Sequence, residues 1–256
     1  MHEFCQALWE WHLGMLNIEY IGKTDKGLIR NNNEDTFVIN KDINFCLVAD
    51  GMGGAAAGEM ASLIFAQTAD EIFSSSSPGT EQEVIDCVQN TFREANERIL
   101  AHVAQYPEHQ GMGCTAETLA FTRSGFVIGH MGDSRTYRFR RGILKQLTKD
   151  HSLVQDQIDQ GLITCEQART HSMRNVILRA VGVRPSPALD TLRGPIFQGD
   201  LFLVCSDGLT DMVDDKEISR VLGLDGDVLR KTENLVDLAK QAGGKDNITV
   251  VLAEIK

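Results

Sequence analysis

Five short segments each set a carboxylate beside glycine or asparagine: Asn-Asn-Asn-Glu-Asp at 31–35, Asp-Gly-Met-Gly-Gly at 50–54, Gly-Asp-Ser-Arg at 132–135, Ser-Asp-Gly at 206–208 and Gly-Lys-Asp-Asn at 244–247. Three of them adjoin apolar, β-branched runs at 43–49, 201–205 and 248–252, which reads as strand ends. Carboxylates gathered there repel one another by several kcal/mol in a partly desolvated cleft, so a positive group must sit among them. Oxygen-only donors suit a hard divalent cation, magnesium or manganese.

Strand-like runs that must carry these segments cover roughly 36–40, 43–49, 115–122, 126–131, 134–139, 200–205 and 247–254. Tight turns join most of them, which predicts antiparallel sheets. One long helix should follow the Gly-rich loop with Ala56, Met60, Leu63 and Ile64 on one face; a second should use Val84, Val88, Phe92, Ala95, Ile99 and Val103. Shorter helices are expected near 152–160, 166–171, 214–222 and 227–241. The fold class that follows is α+β, a four-layer α-β-β-α sandwich with two antiparallel sheets.

The 256 residues carry 36 acidic against 25 basic side chains, a formal net charge of -11, which argues against nucleic acid or an anionic membrane as partner. No linker or repeat divides the chain, and Ser74–Ser77 with Pro78 and Gly79 reads as an interhelical loop within one domain. The six cysteines form no Cys-x-x-Cys pair, several lie in apolar runs, and reduced thiols are expected. No apolar stretch approaches the roughly 18 to 20 residues of a membrane span, and Glu3 and Glu10 without a basic flank do not suit a signal peptide, so the expected location is cytoplasmic.

In order from Gly27 to Thr249 the chain reads Gly-Leu-Ile-Arg-Asn-Asn-Asn-Glu-Asp, Val-Ala-Asp-Gly-Met-Gly-Gly, Gly-Cys-Thr, Gly-Asp-Ser-Arg, Leu-Thr-Lys-Asp-His-Ser, Cys-Ser-Asp-Gly-Leu-Thr-Asp and Gly-Gly-Lys-Asp-Asn-Ile-Thr. This series resembles the metal-dependent Ser/Thr protein phosphatases of type 2C (PPM), in their compact bacterial form. The resemblance implies hydrolysis of phosphoserine and phosphothreonine on proteins by a water that bridges two Mn2+ or Mg2+ ions, with no phosphoenzyme intermediate. Asp50 would bridge the two core ions, Asp207 and Asp246 would complete the first, and the Gly51 carbonyl with Glu34 would serve the second. Asp35 would hold the waters of that set, Arg30 would grip the substrate phosphate, and Asp133 with Asp207 would take a third, looser ion. A Ser/Thr kinase whose phosphorylations are reversed is the implied partner, and a monomer the implied state.

Residues 151–182 resemble the family's flap, which could gate protein substrates. Within and beside it, His151 reads as structural in a strand-to-helix turn, His171 as open to substrate, and His130 as packed in a strand. The family pattern is broken at Met52, where some members have a proton-donating histidine, and at Cys114, where threonine is usual.

Three rival readings were available in the residues. Gly51–Ala56 with Asp70 mimics a dinucleotide fingerprint but lacks the following parallel strand. Cys87 and Arg93 have the spacing of a thiol phosphatase but fall inside a helical pattern. A non-catalytic phosphatase-like binding module predicts loss of a metal carboxylate, and none is missing. Residues 1–14, with Trp9 and Trp11, stand outside the resemblance as an N-terminal extension to a 15–256 phosphatase unit: the product of an upstream start with Met15 as the true one, a packed helix, or a partner-binding arm.

Overall fold

The computed structural model describes residues 16–53, 57–123 and 125–256; the expected N-terminal extension and Ala56 lie outside them. Its strands are β1 (Ile18–Asp25), β2 (Asp35–Asn40), β3 (Phe45–Met52), β4 (Gly113–Phe121), β5 (Gly125–Met131), β6 (Arg135–Arg140), β7 (Ile143–Gln146), β8 (Asp190–Pro195), β9 (Leu201–Cys205) and β10 (Ile248–Ile255). They pair antiparallel into two five-stranded sheets, ordered β1-β10-β9-β6-β7 and β2-β3-β4-β5-β8. The helices are α1 (Ala57–Ser76), α2 (Glu81–Gln105), α3 (Leu153–Asp159), α4 (Cys165–Arg169), α5 (Asp207–Thr210), α6 (Asp215–Leu222) and α7 (Val228–Gln241).

The period-2 alternation of the strands assigns each side chain to a layer. On β3, Phe45, Leu47 and Ala49 join the cluster under α1 and α2, whereas Cys46 and Val48 pack with Phe202, Val204 and Val251 of the other sheet. Leu203, Cys205, Val250 and Leu252 face the opposite way, onto Leu235, Val236 and Ala239 of α7. Three apolar interfaces between four layers result, as the sequence predicts.

Helix α2 begins with a reciprocal capping box between Thr80 and Glu83, and the residues expected from Val84 to Ile99 are buried on it. For α1 the expected face is corrected in part, since Met60 and Ile64 pack against the core only from its margin. Its buried stripe is Ala61, Phe65, Ala69 and Phe73, while Leu63 is 37% exposed. Small alanines let this helix approach the sheet closely, so Phe73 stacks on Phe45 and Phe65 meets the ring of Phe92 edge-on.

The 151–182 segment leaves the body after β7 and returns through two bridges, Ser152 with Ile177 and Cys114 with Val181. Helices α3 and α4 occupy it, each opened by a hydroxyl cap, Ser152 and Thr164. Among the described residues no helix is long and apolar enough to cross a membrane.

Candidate active site

Antiparallel register sets Asp35 on β2 opposite Asp50 on β3, and Asp50 opposite Thr115 on β4. Asp207 is the first residue of α5 after β9, Asp246 stands two residues before β10, and β9 pairs with β10. Asp133 occupies the turn between β5 and β6, where Ser134 Oγ lies 2.7 Å from Thr115 Oγ1. Four strand ends and one turn thus bring all five aspartates to one edge of the sandwich.

Asn247 ties the loops of this edge together. Its Oδ1 accepts the Glu34 N–H at 2.8 Å, and its Nδ2 donates to the carbonyls of Lys26 at 3.0 Å and Asn32 at 2.9 Å. The Glu34 carbonyl accepts from Ser62 Oγ at 2.6 Å and from the Gly51 N–H at 3.1 Å. Asn32 Nδ2 donates to Glu34 Oε1 at 3.1 Å. Two glycines are required by close approach. A Cβ on Gly58 would lie 2.5 Å from Glu34 Oε2, and one on Gly208 would lie 1.8 Å from the Asn247 carbonyl oxygen.

The charges show what the edge lacks. Burial raises the Asp50 carboxyl well above the usual range, and Asp35, Asp207, Asp133 and Asp246 push it further. Burial does the same to Asp207, with Asp133, Asp211, Asp246 and Asp35 adding repulsion. Burial lifts Asp133 to about 7, Asp150 contributing next. Asp35 is lifted by burial to about 6 although Thr249 and Ser206 donate to its Oδ2 at 2.7 and 2.8 Å. Asp35 Oδ1 and Asp207 Oδ1 are buried without a partner. Such an array is uncompensated negative charge, and its all-oxygen donors fit hard divalent cations. Among the described residues no group of three or more His, Cys, Asp or Glu side chains stands in a geometry that holds a metal ion.

Arg30 is half exposed and donates through Nη2 to Asp246 Oδ2 at 2.7 Å. The structure therefore brings Arg30, Glu34, Asp35, Asp50, Gly51, Asp133, Asp207 and Asp246 together. One further carboxylate was missed. Asp211, one helical turn beyond Asp207, pairs with Arg174 of the flap at 3.2 Å and lines a cavity of about 590 Å3 with Asp133, Asp150, Arg174 and Asp207. The i, i+4 spacing in Asp-Gly-Leu-Thr-Asp was the available signal.

The rival readings lose their context. Strand β3 has antiparallel neighbours on both sides, which removes the dinucleotide crossover, and Cys87 is buried within α2. Cys46, Cys87, Cys114 and Cys205 are buried free thiols, whereas Cys165 is an exposed one.

A family model described as protein phosphatase 2C matches residues 29–253. This chain belongs to the protein phosphatase 2C family. Among curated members, a Listeria innocua serine/threonine phosphatase stp is 36% identical over 91% of this chain and 94% of its own length. The Mycobacterium tuberculosis phosphatase PstP is 39% identical over 94% of this chain, which spans 45% of PstP. Among solved structures of the family, the PstP catalytic domain in complex with two manganese ions superposes with a TM-score of 0.86 at 35% identity, covering 94% of this chain and 99% of that one. Staphylococcus aureus Stp1 superposes with a TM-score of 0.88 at 32% identity over 94% and 96%.

Proposed function

We propose that this protein phosphatase 2C member removes phosphate from phosphoserine and phosphothreonine in proteins, using Mn2+ or Mg2+. The observation that carries the reading is the crowd of carboxyls raised by burial and mutual repulsion, Asp35, Asp50, Asp133 and Asp207, beside an Asp246 paired with Arg30, in a chain whose relatives are named Ser/Thr phosphatases, one of them solved with manganese. Asp50, Asp207, Asp246, Glu34 and the Gly51 carbonyl would hold two core ions, and Asp133 with Asp207 a third. When bound, such cations neutralise phosphoryl oxygens and lower the pKa of water from about 16 towards neutrality.

The chain's own residues do the rest. Ser206 and Thr249 fix one oxygen of Asp35, leaving Oδ1 to orient water by hydrogen bonding. Arg30 exchanges Asp246 for the substrate phosphate, whose oxygens its planar fork matches. The Cys114 thiol, which pairs with Gly51 across the strands, does not compete as nucleophile, because burial and then Asp50 push it far above the thiolate range. Met52 carries no proton to give the leaving oxygen.

With this activity go a cognate Ser/Thr kinase, a monomeric cytoplasmic protein, a phosphatase unit over 15–256 with its flap at 151–182, and an extension over 1–14. Phosphopeptide hydrolysis in 18O-labelled water tests the reading. Turnover that needs Mn2+ or Mg2+, stops with chelator and puts solvent oxygen directly into phosphate is expected. Phosphopeptide binding without turnover at millimolar manganese would instead establish a binding module.

A further inference from the structure

His151 meets Gly132, the residue before Asp133, at both of its backbone groups. The His151 N–H donates to the Gly132 carbonyl at 2.6 Å, and His151 Nδ1 accepts the Gly132 N–H at 3.2 Å. Gly132 has φ +118, a conformation that only glycine takes readily, and it stands between β5 and β6, outside both strands. Accepting at Nδ1 places the ring proton on Nε2, which donates to Asp190 Oδ2 at 3.1 Å. Arg179 Nη1 secures the other oxygen of that carboxylate at 3.0 Å. On its far side, the His151 carbonyl accepts the Leu178 N–H at 2.7 Å, where the flap returns to the body. The groups facing the ring are Asp190 and Arg179 together with His130, whose ring centroid is 4.4 Å away and which is paired with Glu117.

We infer that His151 is a positioning residue, a clasp that locks the Gly132-Asp133 turn to the base of the flap, so that the aim of Asp133 and the seating of the flap change together. The functional half of this inference rests on Asp133 serving the phosphatase site.

The test is amide hydrogen exchange by NMR on the whole protein without added metal, paired with phosphopeptide kinetics in manganese. In His151→Asn, Oδ1 takes the place of Nδ1 and keeps the bond to Gly132. His151→Gln reaches towards Asp190 only, and His151→Leu makes neither bond. Gly132 exchange should rise about tenfold in the Leu and Gln variants and stay within about threefold of wild type in Asn, with kcat falling in the same order. General loosening of the fold would not be rescued by asparagine. Unchanged Gly132 exchange in both the Leu and Gln variants, or an Asn variant no better than Leu, would overturn the clasp. Should His151→Leu not fold, the Gln and Asn variants decide alone, and equal Gly132 exchange in those two also refutes the inference. A wild-type protein without turnover would refute the phosphatase reading, whereas the exchange pattern decides the clasp by itself.

Discussion

Raising the pH from 6.5 to 9 should weaken the fold through one buried pair. Glu117 on β4 stands opposite His130 on β5, both side chains are fully buried, and Nδ1 of the histidine is hydrogen-bonded to the carboxylate. Nε2 faces the Lys149 carbonyl at 2.8 Å, so both ring nitrogens meet acceptors and the imidazolium fits. Burial opposes the charge on His130, but Glu117 outweighs it and holds the ring up at about 9, from an ordinary 6.5. Burial keeps the Glu117 carboxyl above its usual range while His130 pulls it down, so the pair retains one proton. Between pH 6.5 and about 9 the native state therefore binds a proton that the unfolded state has lost. Stability from this source is complete below 6.5 and lost as pH rises through about 9. At about 1.4 kcal/mol per pH unit the interval is worth about 3 kcal/mol. Urea unfolding across this range, in wild type and in Glu117→Gln, is the assay. The variant's slope should be shallower by this pair's share, since without Glu117 burial keeps His130 neutral across the whole range. Equal slopes in the two proteins would show that the pair carries no such proton.

Asp50→Asn should abolish calorimetric binding of both core ions and reduce turnover by at least about a thousandfold; two tightly held ions in the variant would remove Asp50 from its bridging place. Arg30→Ala should raise KM and lower kcat for phosphopeptides, together about a hundredfold, with manganese affinity nearly kept, as steady-state kinetics beside calorimetry would show. Asp133→Asn should leave two core ions in a manganese-soaked crystal while cutting turnover; a rate within about twofold of wild type would leave Asp133 as a turn residue capping Ser134 and Arg135. Gly208→Ala drives a methyl into the Asn247 carbonyl and should cost about 3 kcal/mol in urea unfolding together with a loss of metal affinity, which unaltered stability would contradict.

The carboxylates of the candidate site were legible because each stands in a short segment rich in glycine or asparagine, and the strands β3, β4, β5, β9 and β10 because apolar and β-branched residues dominate them. The missed elements have a common physical character. Strands β1, β7 and β8 are sheet edges, the last exposed along most of its length and holding Gly194 and Pro195, so their sequences carry little apolar signal. On α1 two apolar stripes compete, and only the partner sheet selects the one lined by alanine. Asp211 and the contacts of His151 depend on where the flap lands, which no local pattern encodes. The order of segments that identified the family says nothing of these tertiary contacts.

Asn247 connects Glu34 with Lys26 and Asn32 across more than 200 residues of chain, and the strand after it, β10, lies between β1 and β9. On the ribosome, a nascent chain ended at Lys245 already carries Arg30, Glu34, Asp35, Asp50, Asp133 and Asp207, yet lacks the strand that joins its first strand to the rest. Contacts this distant form late, because loop closure must be met before they return stability. Assembly of the site therefore waits on β10, and a chain made only as far as Lys245 holds most of the carboxylates without the strand that brings them to one edge.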